Sequence, residues 1–210
     1  MTLKYPQKWV IGLTGAMLSG KSTALNFFKQ NGAYVLSADS IVAGLYERPA
    51  VRAKLVREMG TADKEKLAET VFNNAHKREK LENLLHPMVL KEMRRQIKSA
   101  EEKLIVCEIP LLFEAKWDKY VDMTLAVCTD KKTLAARLKE RRVSRAQYLR
   151  RLENQLSEQE KCKRADAVFF HATKTDLGLK VKRFYQAFDL LNNRSNHARK
   201  SNAGKKRKTC

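Results

Sequence analysis

Short apolar runs alternate with helical stretches along most of this chain. Strand-like runs occupy Trp9 to Leu13, Tyr34 to Leu36, Leu104 to Ile109, Met123 to Val127 and Ala167 to Phe170, each separated from the next by residues with helical periodicity. Such alternation predicts an α/β fold in which helices flank a five-stranded parallel sheet. A first helix is predicted from about Lys21 to Gln30, with Leu25 and Phe28 on its inner face and Gly32 as its stop. Near the C-terminus, Leu177, Val181, Phe184, Phe188 and Leu191 recur at spacings of four and three and form one stripe that packs on the sheet.

Two stretches do not fit a simple strand-helix repeat. Between the second and third strands lie about 65 residues, more than one crossover helix needs. They carry candidate core positions at Val51, Leu55, Val56 and Met59, at Leu67, Val71 and Phe72, and at Leu81, Leu84, Leu85, Val89 and Met93. An inserted helical subdomain, about residues 44–103, accounts for them. The stretch 131–164 is also helical by pattern but has few apolar residues and sets twelve Lys or Arg against four Glu. A helix so polar cannot be a core helix, and the stretch reads as a mobile, cationic lid.

Composition narrows the class. At 210 residues, with 43% hydrophobic and 31% charged residues, the chain suits one substantial domain with an insertion. No stretch approaches the roughly 18 uninterrupted apolar residues of a membrane span, and no signal peptide is read. Cys107, Cys128, Cys162 and Cys210 form no Cys-x-x-Cys pair, which suits buried thiols in a reducing, cytoplasmic setting. The net charge of +20 is uneven: after Asp189 no acid occurs, and Arg194, Arg199, Lys200, Lys205, Lys206, Arg207 and Lys208 supply seven charges. Residues 192–210 are therefore expected to be a disordered basic tail with weak attraction for polyanions.

The chemistry starts at Ile11-Gly-Leu-Thr-Gly15-Ala-Met-Leu-Ser-Gly20-Lys21-Ser22-Thr23. A strand, a glycine-bounded turn and a helix opening at Lys-Ser form a phosphate-binding loop. Backbone N–H groups from Gly15 to Thr23, including those of Leu18, Ser19 and Gly20, can hold an anion where the helix dipole favours it. Lys21 can sit on the outer phosphates, and the Ser22 hydroxyl can ligate a magnesium ion bridging them, so ATP and Mg2+ are expected. Asp39 follows the second strand, where a carboxylate could accept a proton from an attacking hydroxyl or, equally, cap a helix starting near Ser40. Glu108 ends the third strand and could hold magnesium through water, or be one acid in a buried strand. Arg137, Arg141 and Arg142 could close over a triphosphate, or belong to a solvated charged helix.

These residues resemble the dephospho-CoA kinase family of P-loop kinases. The resemblance spans about Val10 to Leu191 and rests on the Gly-Leu-Thr-Gly to Gly-Lys-Ser-Thr loop, Ala38-Asp39-Ser40-Ile41, Val71-Phe72 with Leu85-His86-Pro87, Pro110-Leu111-Leu-Phe-Glu114, and Arg164-Ala165-Asp166 preceded by Gln155 and Lys161. It implies a kinase domain over 1–191, a helical CoA-binding subdomain, a lid, and ATP-dependent phosphorylation of the ribose 3′-hydroxyl of dephospho-CoA with magnesium. Carried over, Asp39 is the base, Lys21 and Arg137 stabilise the transferring group, Arg141 assists at ATP, and His86, Pro87 and Leu111 lie at the substrate. The chain departs from the family's pattern where Ala16-Met17-Leu18 replaces a run with two more glycines. It also has Ser37 for an acid, and Phe169-Phe170-His171 for Ile-Asp-Asn. Two other readings use fewer of these motifs. One is a kinase for another nucleoside or nucleotide; the other is a divergent protein that binds nucleic acid through its basic lid and tail.

Overall fold

A computed structural model describes residues 2–206 except 73 and 154, without the side chains of 146, 147, 150, 151 and 193–206. Five strands, β1 (Trp9–Thr14), β2 (Tyr34–Ser37), β3 (Leu104–Glu108), β4 (Met123–Thr129) and β5 (Ala167–His171), form one sheet in the order β2-β3-β1-β4-β5. Every pairing is parallel. The expected α/β architecture is present, with each strand within two residues of its predicted ends.

The inner strands β1, β3 and β4 are largely apolar because both faces are covered, whereas at the edge strand β5 Val168 and Phe170 are exposed. Alternate residues serve opposite cores: Val10, Leu36, Ile105 and Cys107 join one cluster, while Ile11, Leu13, Val106 and Val127 join the other. Helix α1 (Lys21–Gln30) and helix α9 (Lys174–Lys206) cover the second face, with Phe28, Leu177 and Val181 fully buried. Each such side chain contributes about 1.5–3 kcal/mol through burial. The α9 stripe holds through Phe188 and then ends, since Leu191 is 67% exposed. Composition alone predicts disorder beyond it, yet the helix runs on to Lys206, since extending an existing helix needs no new nucleus. Residues 207–210, with Cys210, lie outside the described residues.

Four helices between β2 and β3 cover the other face: α2 (Ala38–Tyr46), α3 (Pro49–Met59), α4 (Lys64–Phe72) and α5 (Ala75–Ser99). Local chemistry sets their ends. Pro49 opens α3 and Gly60, at φ 81°, closes it; the Asn74 side chain accepts from Lys77 N at 3.0 Å to start α5. Leu55, Leu67, Val89 and Met93 are buried between these helices and the sheet. Val56 and Phe72 are instead 51% and 43% exposed; beside Val56 the inward position is taken by the fully buried Leu55. Arg48 and Arg95 both reach Glu92, whose carboxyl is held down at about 2 first by Arg95, then by Gln96 and Arg48.

After β4 come α6 (Lys131–Glu140), α7 (Arg145–Leu152) and α8 (Glu158–Arg164). Asp130 caps α6 by accepting from Thr133 N at 2.8 Å, and Ser157 caps α8 by accepting from Glu160 N at 3.1 Å. No described residue of α6 is buried. The cysteines differ from the thiols read from the sequence: Cys128 at the end of β4 is joined to Cys162 on α8 by a disulfide, across 34 positions that only the fold brings together. Cys107 remains a free, buried thiol, pushed up to about 12 by desolvation.

Candidate active site

Three adjacent strands bring the candidate residues to one edge. Glu108 at the end of β3 pairs in register with Leu13 of β1 on one side and Ser37 of β2 on the other. The loop that follows β1 and Asp39, two residues past Ser37, therefore flank Glu108 at the carboxyl ends of the strands, where open α/β sheets bind ligands.

The loop between β1 and α1 departs from extended backbone at Gly15 (φ 150°), Leu18 (φ 63°) and Gly20 (φ 105°). At Gly15 an added Cβ would strike the carbonyl of Val127 and the Ser19 hydroxyl. Leu18 adopts the left-handed region despite its side chain, at a cost of about 1–2 kcal/mol that surrounding contacts must offset. The Lys21 ammonium donates to the carbonyls of Gly15 at 3.0 Å and Ala16 at 2.7 Å. Burial lowers the Lys21 pKa, Glu108 opposes that, Lys161 adds to it, and Asp39 and Glu158 oppose it further. All four side chains thus lie close enough for their charges to act on this lysine. Ser19 is buried, and its hydroxyl oxygen has no partner among the described residues. Such an orphan beside the start of α1, which no side chain caps, suits an anionic ligand.

Ser22 donates to Glu108 Oε1 at 3.1 Å, so a hydroxyl and a carboxylate stand together beside the loop. Oxygen donors in this number suit a magnesium ion that keeps most of its ligands as water and phosphate. Among the described residues no three His, Cys, Asp or Glu gather as a metal cage. Thr23 lies half-buried in the first turn of α1.

Asp39 is exposed in the first turn of α2 and does not cap it: the cap position belongs to Ser37, without a side-chain bond. That removes the capping alternative for Asp39. It lines a cavity of about 150 Å³ with Val42, Leu85, His86, Leu111 and Trp117. His86 meets the Trp117 ring edge-on at 5.0 Å, and burial lowers its pKa against the pull of Glu82. Leu111 lines this cavity and an adjoining one of about 240 Å³ that reaches Arg78 and Glu114. Pro87 lies elsewhere. It is exposed within α5 and lines neither cavity, because the residue after an inward-facing one on a helix turns away.

Arg137 on α6 donates through Nη1 to the carbonyl of Leu18 at 2.8 Å, joining the 131–164 stretch to the loop. Arg141 follows the last turn of α6 and is exposed, as is Arg142 at φ 52°.

Sequence reasoning attached no role to four groups that the fold brings here. Lys161 on α8 is fully buried, donating to the carbonyl of Pro110 at 2.6 Å and pairing with Glu114 Oε1 at 3.1 Å. Glu114 Oε1 also accepts from Leu156 N at 2.8 Å, and the Pro110 carbonyl accepts from Thr14 Oγ1 at 3.2 Å. One buried ammonium thus ties the Pro110–Glu114 turn to the end of the 131–164 stretch. Glu158, at the start of α8, accepts from Thr129 N at 3.1 Å; burial raises its pKa, while that bond, Lys21 and Arg137 oppose the rise. His171 contacts the loop backbone. A lysine in a polar helix, or a histidine at the end of an apolar strand, carries no sign of such long-range partners.

The dephospho-CoA kinase family model matches residues 9–176. A dephospho-CoA kinase of Fusobacterium nucleatum is 35% identical over 185 residues, covering 83% of this chain and 96% of the relative. A solved structure from Thermus thermophilus superposes with a TM-score of 0.79 at 30% identity, covering 86% of this chain and 97% of that one. The dephospho-CoA kinase of Campylobacter jejuni shares the fold, with a TM-score of 0.63 at 24% identity and coverage of 87% and 98%. With the loop, the acid that follows β2 and the cavity beside it in place, this P-loop kinase chain belongs to the dephospho-CoA kinase family, which makes CoA by phosphorylating dephospho-CoA.

Proposed function

We propose that ATP lies with its phosphates in the Gly15–Thr23 loop, that dephospho-CoA enters the cavity of Asp39, His86 and Leu111, and that Asp39 takes the proton of the ribose 3′-hydroxyl. The observation that carries this reading is the register at the sheet edge, which sets Asp39 and the loop on either side of Glu108. The 3′-oxygen forms the new bond to the γ-phosphorus, the bond from that phosphorus to the β,γ-bridging oxygen breaks, and ADP leaves with the electron pair. Asp39 holds the proton lost by the hydroxyl. Lys21, once a phosphate compensates its burial, and Arg137 carry positive charge to the equatorial oxygens, and Arg141 adds to that field from the end of α6. Ser22, and Glu108 through water, would hold Mg2+, which supplies charge neutralisation across the β- and γ-phosphates.

Residues 131–164 serve in this reading as a lid. Its two ends meet at Thr129, where α6 departs and where Glu158 returns to the Thr129 amide. Closure excludes water that would otherwise compete with the 3′-hydroxyl. A cytoplasmic location rests on the substrates alone, since the Cys128–Cys162 bond removes the cysteine argument for a reducing setting; among the described residues no helix is long and apolar enough to cross a membrane. The basic residues beyond Asn193 supply weak, salt-dependent attraction for polyanions that the kinase reaction does not need.

Asp39→Asn tests the assignment. Transfer is expected to fall by about 10³-fold with ATP affinity nearly unchanged. A variant that turns over at close to the unmodified rate removes Asp39 as the base.

A further inference from the structure

A loop that aims its amides at an anion must turn its carbonyls outward, and outward carbonyls that are buried need donors from elsewhere. In this chain the supply is complete for four of them. Lys21 takes the carbonyls of Gly15 and Ala16, Arg137 takes that of Leu18, and His171 Nε2 takes that of Ser19 at 2.7 Å. Arg137 comes from the lid, so its bond can be lost whenever the lid moves. His171 cannot leave so easily. It ends β5, its own carbonyl accepts from Thr129 Oγ1 at 2.8 Å, and its Nδ1 faces the Thr173 carbonyl at 3.2 Å. His171 and Ser19 are each 1% exposed, so water has little access to replace the bond.

The neighbouring glycine fits the same device. A Cβ on Gly20 would stand 2.7 Å from His171 Nε2, which leaves no room for any other residue there. Leu18, held at φ 63° two positions earlier, is the point at which the loop most needs support from outside.

We propose that His171 is a positioning residue for ATP: by donating from Nε2 to the Ser19 carbonyl, it keeps the loop amides turned toward the phosphates while the lid opens and closes. This rests on the nucleotide site described above and adds to it a fixed donor on the sheet. Both ring nitrogens face a carbonyl, which only accepts, and of the two neutral tautomers the shorter contact, 2.7 Å against 3.2 Å, favours the one with its hydrogen on Nε2.

Steady-state kinetics of three variants test the idea. His171→Leu removes the donor, and its KM for ATP is expected to rise about tenfold, the worth of one buried hydrogen bond, while the KM for dephospho-CoA stays within about twofold. His171→Gln keeps a side-chain N–H of similar reach and should recover most of the ATP affinity; His171→Asn, which is shorter, should not. An unchanged ATP KM in the leucine variant overturns the proposal, as does an equal rise in both KM values or a glutamine variant no better than leucine. Should the variants fail to fold, ¹⁵N NMR of the unmodified enzyme at a pH well above the imidazole range reads the tautomer directly. A hydrogen on Nε2 supports the device, and one on Nδ1 overturns it. Unmodified enzyme that makes no CoA would count against the site reading, whereas active enzyme without the KM split counts only against His171.

Discussion

Around the phosphate loop the side-chain contacts run largely to backbone carbonyls, made by Lys21, Arg137 and His171, whereas the walls around Asp39 are side chains: Val42, Leu85, His86, Leu111 and Trp117. The loop is assembled largely within one contiguous stretch, and its partners hold its shape. The cavity proposed for the acceptor is assembled from α2, α5 and the turn after β3, which are separated by dozens of residues. A backbone-built site recognises what all nucleotides share, their phosphates. Only a side-chain-built cavity can choose the acceptor.

The largest effect that separates the two halves is expected at Lys21. Lys21→Met should lower kcat by about 10³-fold through loss of charge at the transferring group. Its effect on stability has two opposing parts. Burial lowers this lysine's pKa in the folded protein, so the charged form disfavours folding at neutral pH, and that penalty fades as pH rises. The methionine variant escapes that penalty but leaves the Gly15 and Ala16 carbonyls without their donor, so the burial penalty is read from the pH dependence: the unmodified protein should gain stability relative to the variant as pH rises toward 10.5, and a difference that does not change with pH would contradict it.

Lys161 joins the halves and should weaken both. Lys161→Met strands the Glu114 carboxylate, which is only 17% exposed, and removing one partner of such a buried pair costs about 3 kcal/mol or more. Chemical denaturation reads this directly. Glu114→Gln with Lys161→Met, which removes both charges, should regain part of the loss; no recovery would mean that the pair itself contributes little.

On the acceptor side, Leu111→Ala should raise the KM for dephospho-CoA several-fold while leaving that for ATP unchanged, since only apolar wall is removed. Equal changes in both would erase the division between the two halves.

The smallest effect is set by acid. The Glu92 carboxyl, held at about 2 by Arg95, Gln96 and Arg48, contributes stability that is complete above its ordinary value of 4.5 and is lost as pH falls toward 2. Both arginines are more than half exposed, so screening limits the contribution to about 1 kcal/mol. Acid titration of Glu92→Gln should show a flatter stability curve over that window. A curve parallel to the unmodified protein's would assign the acid response elsewhere.

The same division runs between what the sequence displays and what only the fold brings together. The five strands, α1 and the loop were legible because each rests on local periodicity or a contiguous motif. Asp39 was legible as a choice between base and cap, and only the backbone at Ser37 removed the cap. Leu111 and His86 came from resemblance to a family, since nothing in a helix or turn by itself marks a cavity wall. Pro87 was misplaced by the same route, because adjacency in a motif is not adjacency in a site. Glu158, the partners of Lys161 and the Cys128–Cys162 pair were invisible, as each depends on α8 folding back onto β4. A Glu or Lys is ordinary in a polar helix, and Cys128 is ordinary in an apolar strand.

The central claim is that the loop and the Asp39 cavity meet so that phosphate passes to a held 3′-hydroxyl rather than to water. The direct measurement follows ADP and CoA together, with purified protein, ATP, magnesium and dephospho-CoA, and locates the new phosphate on the product by ³¹P NMR. The account predicts one 3′-phosphorylated CoA for each ADP formed. ADP released without CoA, or phosphate found on another oxygen, would contradict it.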